Sequence, residues 1–368
     1  MFIEQIEIYK APIKLKEPFK ISLGSYAYAT NIVIVLKTSS CLTGYGECSP
    51  FMSIHGESIE TAYIIGQYLA KAMIGSSVLP IQACVDSMDA VVYGNACIKS
   101  AFNIALYDLA AQQAKQPLYK FLGGENTKQI QTDYTISIDA VDKMAADARK
   151  IVEKGFKIIK VKVGGTKEED VERIKQIRAA VGDEIPLRID ANQGWTVDTA
   201  IDILNQLEPY NIQHCEEPIS RSLYAELPKI RQACSIPLMA DESCCDHMDA
   251  QRLIDIQAVD LFNIKLSKSA GIDKALKIIA KAEANDMKIQ LGGFLESRLG
   301  FTAAAHVALT SNAIIYFDFD TPLMFQEDPI IGGIEYKPEG FIEVPESIGL
   351  GASYDPQYLS GLEKMIVK

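Results

Sequence analysis

The chain has 368 residues, 48% apolar and 23% charged, with a formal net charge of −12. That length supports a large core, and the composition is that of a globular protein, not a disordered or fibrous one. The acidic balance, with a pI near 5.0, argues against a nucleic-acid surface or an anionic membrane as partner.

The first residues, "MFIEQIEIYK", carry acids and lack the apolar core of a signal peptide. Residues 1 to about 50 read as β-rich. "NIVIVLKTSS" has strand texture, and "LTGYGECSP" carries turn signals at Gly44 and Gly46. Residues 57 to 122 read as helical: Ile98, Ala101, Phe102, Ala105, Leu106 and Leu109 recur at helical spacing, and Gly123-Gly124 stops the run. Residues 1–125 are therefore expected to form an α+β module. Eight cysteines without a C-x-x-C pair are expected as reduced thiols of a cytoplasmic protein. No apolar run is long enough to predict a membrane span.

After residue 125 the texture changes. Short apolar strands alternate with amphipathic helical segments: "TDYTISI", "FKIIKVKVG", "IPLRIDAN", "NIQHCEEP", "IPLMADES", "VDLFNIKLS", "KIQLGGF" and "AIIYFDFD". Their polar ends fall at Thr135, Lys162, Asp190, Glu216, Asp241, Lys265, Gly293 and Asp318, spaced 24 to 28 residues apart. A strand, a helix and two short loops take about that length. An α/β, TIM-like barrel over 126–324 is predicted. Residues 325–368, rich in Pro and Gly, are expected to return to the N-terminal module.

Polar residues at the C-terminal ends of barrel strands are where such barrels keep their chemistry. Asp190, Glu216 and Asp241 come from three consecutive strands. Each alone could cap the following helix; together, in phase, they would repel without a cation. A hard divalent ion such as Mg²⁺ suits an all-oxygen set. Lys162 and Lys265 flank the acids from opposite sides, an arrangement suited to removing a proton from carbon on one face and returning it on the other. A lysine base must be neutral, and Lys160 or the ion would lower its pKa. The alternative is that Lys160 and Lys162 are structural ion-pair partners of the acids.

Lys268 competes with Lys265 but lies beyond the strand and out of phase. His214 and Asn192, in phase with Glu216 and Asp190, are candidates to line the pocket. Trp195 reads as packing. His55, in a loop of the N-terminal module, could reach the site in a lid, but a solvent-exposed role is expected.

The K-x-K at 160–162, "RIDANQGW", "EEP", "ADES" and "NIKLSKSAGI", in that order, resemble the enolase superfamily and its muconate lactonizing enzyme subgroup. "GYGECSP" and "ALYDLAAQQAKQPLYKFLGG" resemble its capping domain. The resemblance implies a (β/α)7β barrel with an α+β cap, built by the N-terminal region and the tail, and one Mg²⁺ per subunit. "FDFDTPLM" resembles the dipeptide epimerases, which hold a substrate α-ammonium with such an Asp318-x-Asp320 pair. It implies dipeptide contacts at Thr135, Lys160, Asn192, Gly293 and Leu295, and a lid loop, "EPFKISLGSYAYA", carrying Phe19 and Gly24. Ala-Glu epimerases have an arginine where this chain has Gly24, so a small or apolar second residue is expected after an alanine. Lys20 could substitute for the missing charge. A homo-oligomer is expected. Still open are a muconate-type cycloisomerase, an o-succinylbenzoate synthase, a Schiff-base aldolase using Lys265, and a non-catalytic binding barrel.

Overall fold

The computed structural model describes residues 1–368. Three strands open the chain: β1 (Ile3–Ile21), β2 (Gly24–Thr38) and β3 (Thr43–Cys48), paired antiparallel in that order. Helices α1 (Ile59–Met73), α2 (Ile81–Val91) and α3 (Ala96–Ala114) follow. Ser58 and Thr61 start α1 with a reciprocal capping box.

The alternation of strand side chains gives this sheet two jobs. Ile32, Ile34 and Leu36 of β2 face the three helices and share their core. Val33 and Val35, one residue out of phase, belong to the core of the rest of the molecule. The strand reads as continuously apolar because both faces are covered. Gly46 is demanded by closeness: a Cβ there would lie 1.9 Å from the Ala101 carbonyl oxygen of α3.

All eight strands expected after residue 125 form. They are β4 (Tyr134–Ile136), β5 (Ile159–Lys162), β6 (Leu187–Asp190), β7 (Ile212–Glu216), β8 (Leu238–Ala240), β9 (Leu261–Lys265), β10 (Lys288–Gly292) and β11 (Ile314–Phe317). They pair in parallel in chain order as one sheet of eight. Seven helices connect them: α4 (Val141–Glu153), α5 (Lys167–Val181), α6 (Val197–Leu207), α7 (Leu227–Ala233), α8 (His247–Asp255), α9 (Ile272–Glu283) and α10 (Arg298–Ala308). This is the expected (β/α)7β barrel with a separate antiparallel cap.

No strand ladder joins β4 to β11. Single bonds stitch that seam. The Asp133 amide donates to the Phe317 carbonyl at 3.3 Å, and the Phe319 amide donates to Thr132 Oγ1 at 2.8 Å. Arg188 Nη1 reaches both sides, Asp133 Oδ2 at 2.8 Å and the Phe317 carbonyl at 3.2 Å. The tail serves both units. Phe341–Glu343 pairs with Ile130–Gln131 before the first barrel strand, and the last strand, β12 (Lys364–Val367), pairs with β1. No helix is long and apolar enough to cross a membrane.

Candidate active site

Parallel register sets the order of the site's side chains. Lys162 lies opposite Asp190, and Asp190 opposite Glu216. Asp241 follows two residues after Met239, the partner of Glu216, so it points the same way. All three acids are fully buried.

Four lysines hold them. Lys160 Nζ lies 2.7 Å from Glu216 Oε2 and 3.2 Å from Asp190 Oδ2. Lys162 Nζ is 2.6 Å from Asp190 Oδ2. Lys265 Nζ is 2.6 Å from Asp241 Oδ2, and Lys268 Nζ is 2.6 Å from Asp241 Oδ1. Asn263 and Gln290 donate to the two oxygens of Glu216 at 2.8 and 3.2 Å. The pairing sorts the carboxyls. Burial raises Asp190, but Lys162 and Lys160 override it and hold it at about 2. Asp241 falls below the usual carboxylate range because two lysines outweigh its burial. For Glu216, burial and Asp190 win, and it is pushed up to about 7.

Sequence reasoning expected crowding to make the lysines less basic. The structure reverses this for Lys265: burial pulls its pKa down, but Asp241 and Glu216 more than offset it and raise it. Lys160 is likewise raised against its burial, by Asp318, Glu216 and Asp190. The expectation counted cations and overlooked that each sits between carboxylates.

A second acidic group stands at the seam. Oxygens of Asp133, Asp318 and Asp320 all lie within 4.8 Å of one another, tighter than those of Asp190, Glu216 and Asp241. Lys160 Nζ is 2.8 Å from Asp318 Oδ2, the Thr135 amide donates to Asp320 Oδ2 at 2.6 Å, and Arg188 pairs with Asp133. Burial and the neighbouring Asp318 push Asp320 up to about 7. Lys160 therefore bridges the two groups.

A cavity of about 450 Å³, open mouth included, joins these elements. Thr135, Lys162, Asn192, Lys265, Asp318 and Asp320 form its polar floor; Gly293 and Leu295 border it. Phe19, Ile21, Phe51 and Ile54 of the cap form the roof, with Phe294 of the barrel. Lys160 lies below the lining, fully buried among its acids. Gly24, at the hairpin turn, does not line the cavity. Lys20 is turned away, 2.9 Å from Asp139.

Other expectations are corrected. His55 is not solvent-facing. Its ring meets Phe294 edge-on at 4.6 Å, its Nδ1 accepts the Phe51 amide at 3.1 Å, and burial lowers its pKa to about 3. Lys268, set aside as out of phase, is one of the two cations on Asp241. The chain turns after β9, with the Lys268 amide donating to the Lys265 carbonyl at 3.1 Å, and the turn cancels strand phase. His214 lies buried against Tyr316 at 5.1 Å and does not line the cavity. Trp195 packs as expected, its Nε1 donating to Asp170 Oδ2 at 2.9 Å. Sequence reasoning missed Asp133, Phe51, Ile54 and Phe294. Asp133 shares phase with Thr135, a signal that could have found it; the cap residues carry no such signal.

Asp190, Glu216 and Asp241 suit Mg²⁺ by donor chemistry, being all oxygen, anionic and convergent on one end of the barrel. Their tight lysine partners show how much negative charge the site must balance.

Known proteins share this fold. Residues 3–123 match the mandelate racemase / muconate lactonizing enzyme N-terminal domain, and residues 143–358 match the enolase C-terminal domain-like family. A D-Ala-D/L-Ala epimerase of Cytophaga hutchinsonii is 67% identical over the whole of both chains. The structure of a Cytophaga hutchinsonii dipeptide epimerase complexed with Mg and D-Ala-L-Val superposes with a TM-score of 1.00, covering all of both chains at 67% identity. A dipeptide epimerase of Enterococcus faecalis, complexed with Mg and L-Leu-L-Tyr, reaches 0.93 at 37% identity, covering 96% of this chain and all of its own. The chain thus belongs to the mandelate racemase / muconate lactonizing enzyme family of the enolase superfamily.

Proposed function

We propose that this protein is a Mg²⁺-dependent dipeptide epimerase that inverts the α-carbon of the C-terminal residue of Ala-Xaa dipeptides with a small or apolar Xaa. The observation that carries this reading is a single cavity with Lys162 and Lys265 from strands four apart in the sheet order, beside Asp318 and Asp320. A racemising enzyme needs two bases, and a dipeptide needs an anionic holder for its ammonium.

In this scheme Asp318 and Asp320 hold the substrate's α-ammonium, and the dipeptide lies across the cavity floor. Thr135, Asn192, Gly293 and Leu295 border it there. Lys160 neutralises the carboxylates between the two acidic groups. Bound by Asp190, Glu216 and Asp241, Mg²⁺ would supply positive charge at the substrate carboxylate and compete with Lys162 and Lys265 for Asp190 and Asp241. Lys162 removes the α-proton from one configuration and Lys265 protonates the opposite face; the reverse reaction exchanges their roles. The aromatic roof excludes water from the carbanionic carbon.

The apolar roof supports the substrate class. Lys20 is engaged by Asp139 and Gly24 brings no charge, so a glutamate side chain would find no cation from either. Two relatives are described in the same sense, one acting on D-Ala-D/L-Ala and one as a hydrophobic dipeptide epimerase. A cytoplasmic homo-oligomer is the setting we assign; the eight cysteines are all free thiols, as that setting requires. We take residues 1–125 as the cap, 126–324 as the catalytic barrel and 325–368 as the segment tying them together.

Incubation in D₂O with Mg²⁺, followed by mass spectrometry and NMR, tests the reading. Ala-Ala and Ala-Val, with L- or D-alanine first, should gain deuterium at the C-terminal α-carbon and epimerise. A clear preference for Ala-Glu, or full activity on N-acetylated dipeptides, overturns it.

A further inference from the structure

The two lysines that line the cavity are each faced by an aromatic ring, and the two rings are held differently. Lys265 Nζ sits 4.5 Å from the centroid of Phe294, and Lys162 Nζ sits 5.8 Å from the centroid of Phe19. Both distances are within the reach of a cation–π contact. Phe294 is held by two rings, one of them braced by a third. Phe51 stacks on it at 5.7 Å, His55 meets it edge-on at 4.6 Å, and Tyr26 braces Phe51 at 4.4 Å. Phe294 is also buried, in a small apolar cluster that joins cap and barrel. Phe19 is half-buried near the tip of the β1–β2 hairpin and packs only at the edge of that cluster.

We infer that Phe294 and Phe19 are positioning residues, one for each base: Phe294 aims the Lys265 amino group at the substrate α-carbon, and Phe19 aims that of Lys162. The inference rests on the epimerase reading. A lysine has a long flexible stem, and its carboxylate partner constrains the nitrogen from one side only. A ring face on the other side restricts it to one approach, and at proton-transfer distances a small misplacement is costly. The rings come from different units, so the two half-reactions depend on the cap to different degrees. Lys265 is aimed by a barrel ring buttressed by the cap; Lys162 is aimed by the cap hairpin alone.

The test is the ratio of initial α-deuterium exchange rates from the two configurations of the C-terminal residue of Ala-Val, in D₂O with Mg²⁺. Weaker substrate binding lowers both rates; loss of aim lowers one. Lys162→Ala and Lys265→Ala first assign each configuration to its lysine. Phe19→Leu should then slow exchange of the Lys162 configuration about tenfold relative to the other, and Phe294→Leu should shift the ratio about tenfold the opposite way. Phe19→Tyr and Phe294→Tyr, which keep the ring face, should restore the ratio. If a Leu variant does not fold by circular dichroism, its Tyr partner and Phe→Met carry the same comparison. Opposite effects of the two Lys→Ala variants with an unchanged ratio in the Leu variants overturn the aiming role while the two-base reading stands. Both Lys→Ala variants exchanging the same configuration removes the two-base reading itself, and with it this inference.

Discussion

Two acidic groups share the interior of one barrel, and their surroundings give individual members opposite character. Asp190 and Asp241 each face two lysines and stay ionised despite complete burial. Asp320 faces a backbone amide and another acid, and burial carries it up to about 7. Asp190 and Asp241 are charged and cross-linked by ammonium groups, fitted to exchange one cation for another. Asp320 has no cationic partner of its own, since Lys160 pairs with Asp318 and Arg188 with Asp133, and is fitted to receive one. In the proposed scheme the same residue type would serve as ligand for a metal or as seat for an ammonium according to which cations fold beside it.

The comparison breaks most sharply at the metal side. Asp190→Asn, Glu216→Gln or Asp241→Asn should each lower epimerisation at least about a thousandfold, because stabilisation of the carbanion is worth several kcal/mol. The proposed ligand set predicts weaker Mg²⁺ binding by isothermal titration calorimetry in each variant. A wild-type rate indifferent to EDTA would refute it.

The ammonium side should fail differently. Asp320→Asn removes one charged hydrogen bond, worth about 1.5–3 kcal/mol, so kcat/KM for Ala-Val should fall about ten- to a hundredfold. The loss should appear mainly in KM, with Mg²⁺ affinity retained. A variant that loses Mg²⁺ affinity as well would erase the distinction between the groups.

The raised pKa of Asp320 gives a pH signature. Its folded value of about 7 lies above the ordinary 3.8, so the folded chain binds the extra proton more tightly than the unfolded one. Its contribution to stability is therefore present below the unfolded value and is lost as pH rises through about 7. A dipeptide ammonium selects the ionised form, so Ala-Val binding should tighten across the same range. Comparing wild type with Asp320→Asn across that range, by melting temperature and by dipeptide Kd, isolates both slopes. Equal slopes in the two proteins would assign the signature elsewhere.

The smallest effect should come from the cap's surface. Lys20 is partly exposed and pairs with Asp139, a contact worth about 1 kcal/mol or less. Lys20→Ala should leave the Ala-Val to Ala-Glu ratio of kcat/KM unchanged. A drop in Ala-Glu activity alone would mean that Lys20 swings into the cavity during turnover.

The sequence by itself determined the barrel and most of the polar floor. Its eight strands are local apolar runs, and a spacing near one βα unit is a property of chain length alone. Phase then placed Lys162, Asp190, Glu216, Asp241 and Lys265 at one end, because strand alternation carries direction without knowledge of packing. Tertiary structure decided what phase cannot reach. Lys268 arrives on Asp241 through a turn, where alternation ends. Asp133 meets Asp318 and Asp320 only because the first and last strands close a seam. Phe19, Phe51 and Ile54 come from a different unit, more than a hundred residues from the lysines they cover, and apolar residues in a lid look like any other core. The ionisation of each acid was also beyond the sequence, since a pKa depends on which charges fold within a few ångströms, and that is set by long-range packing.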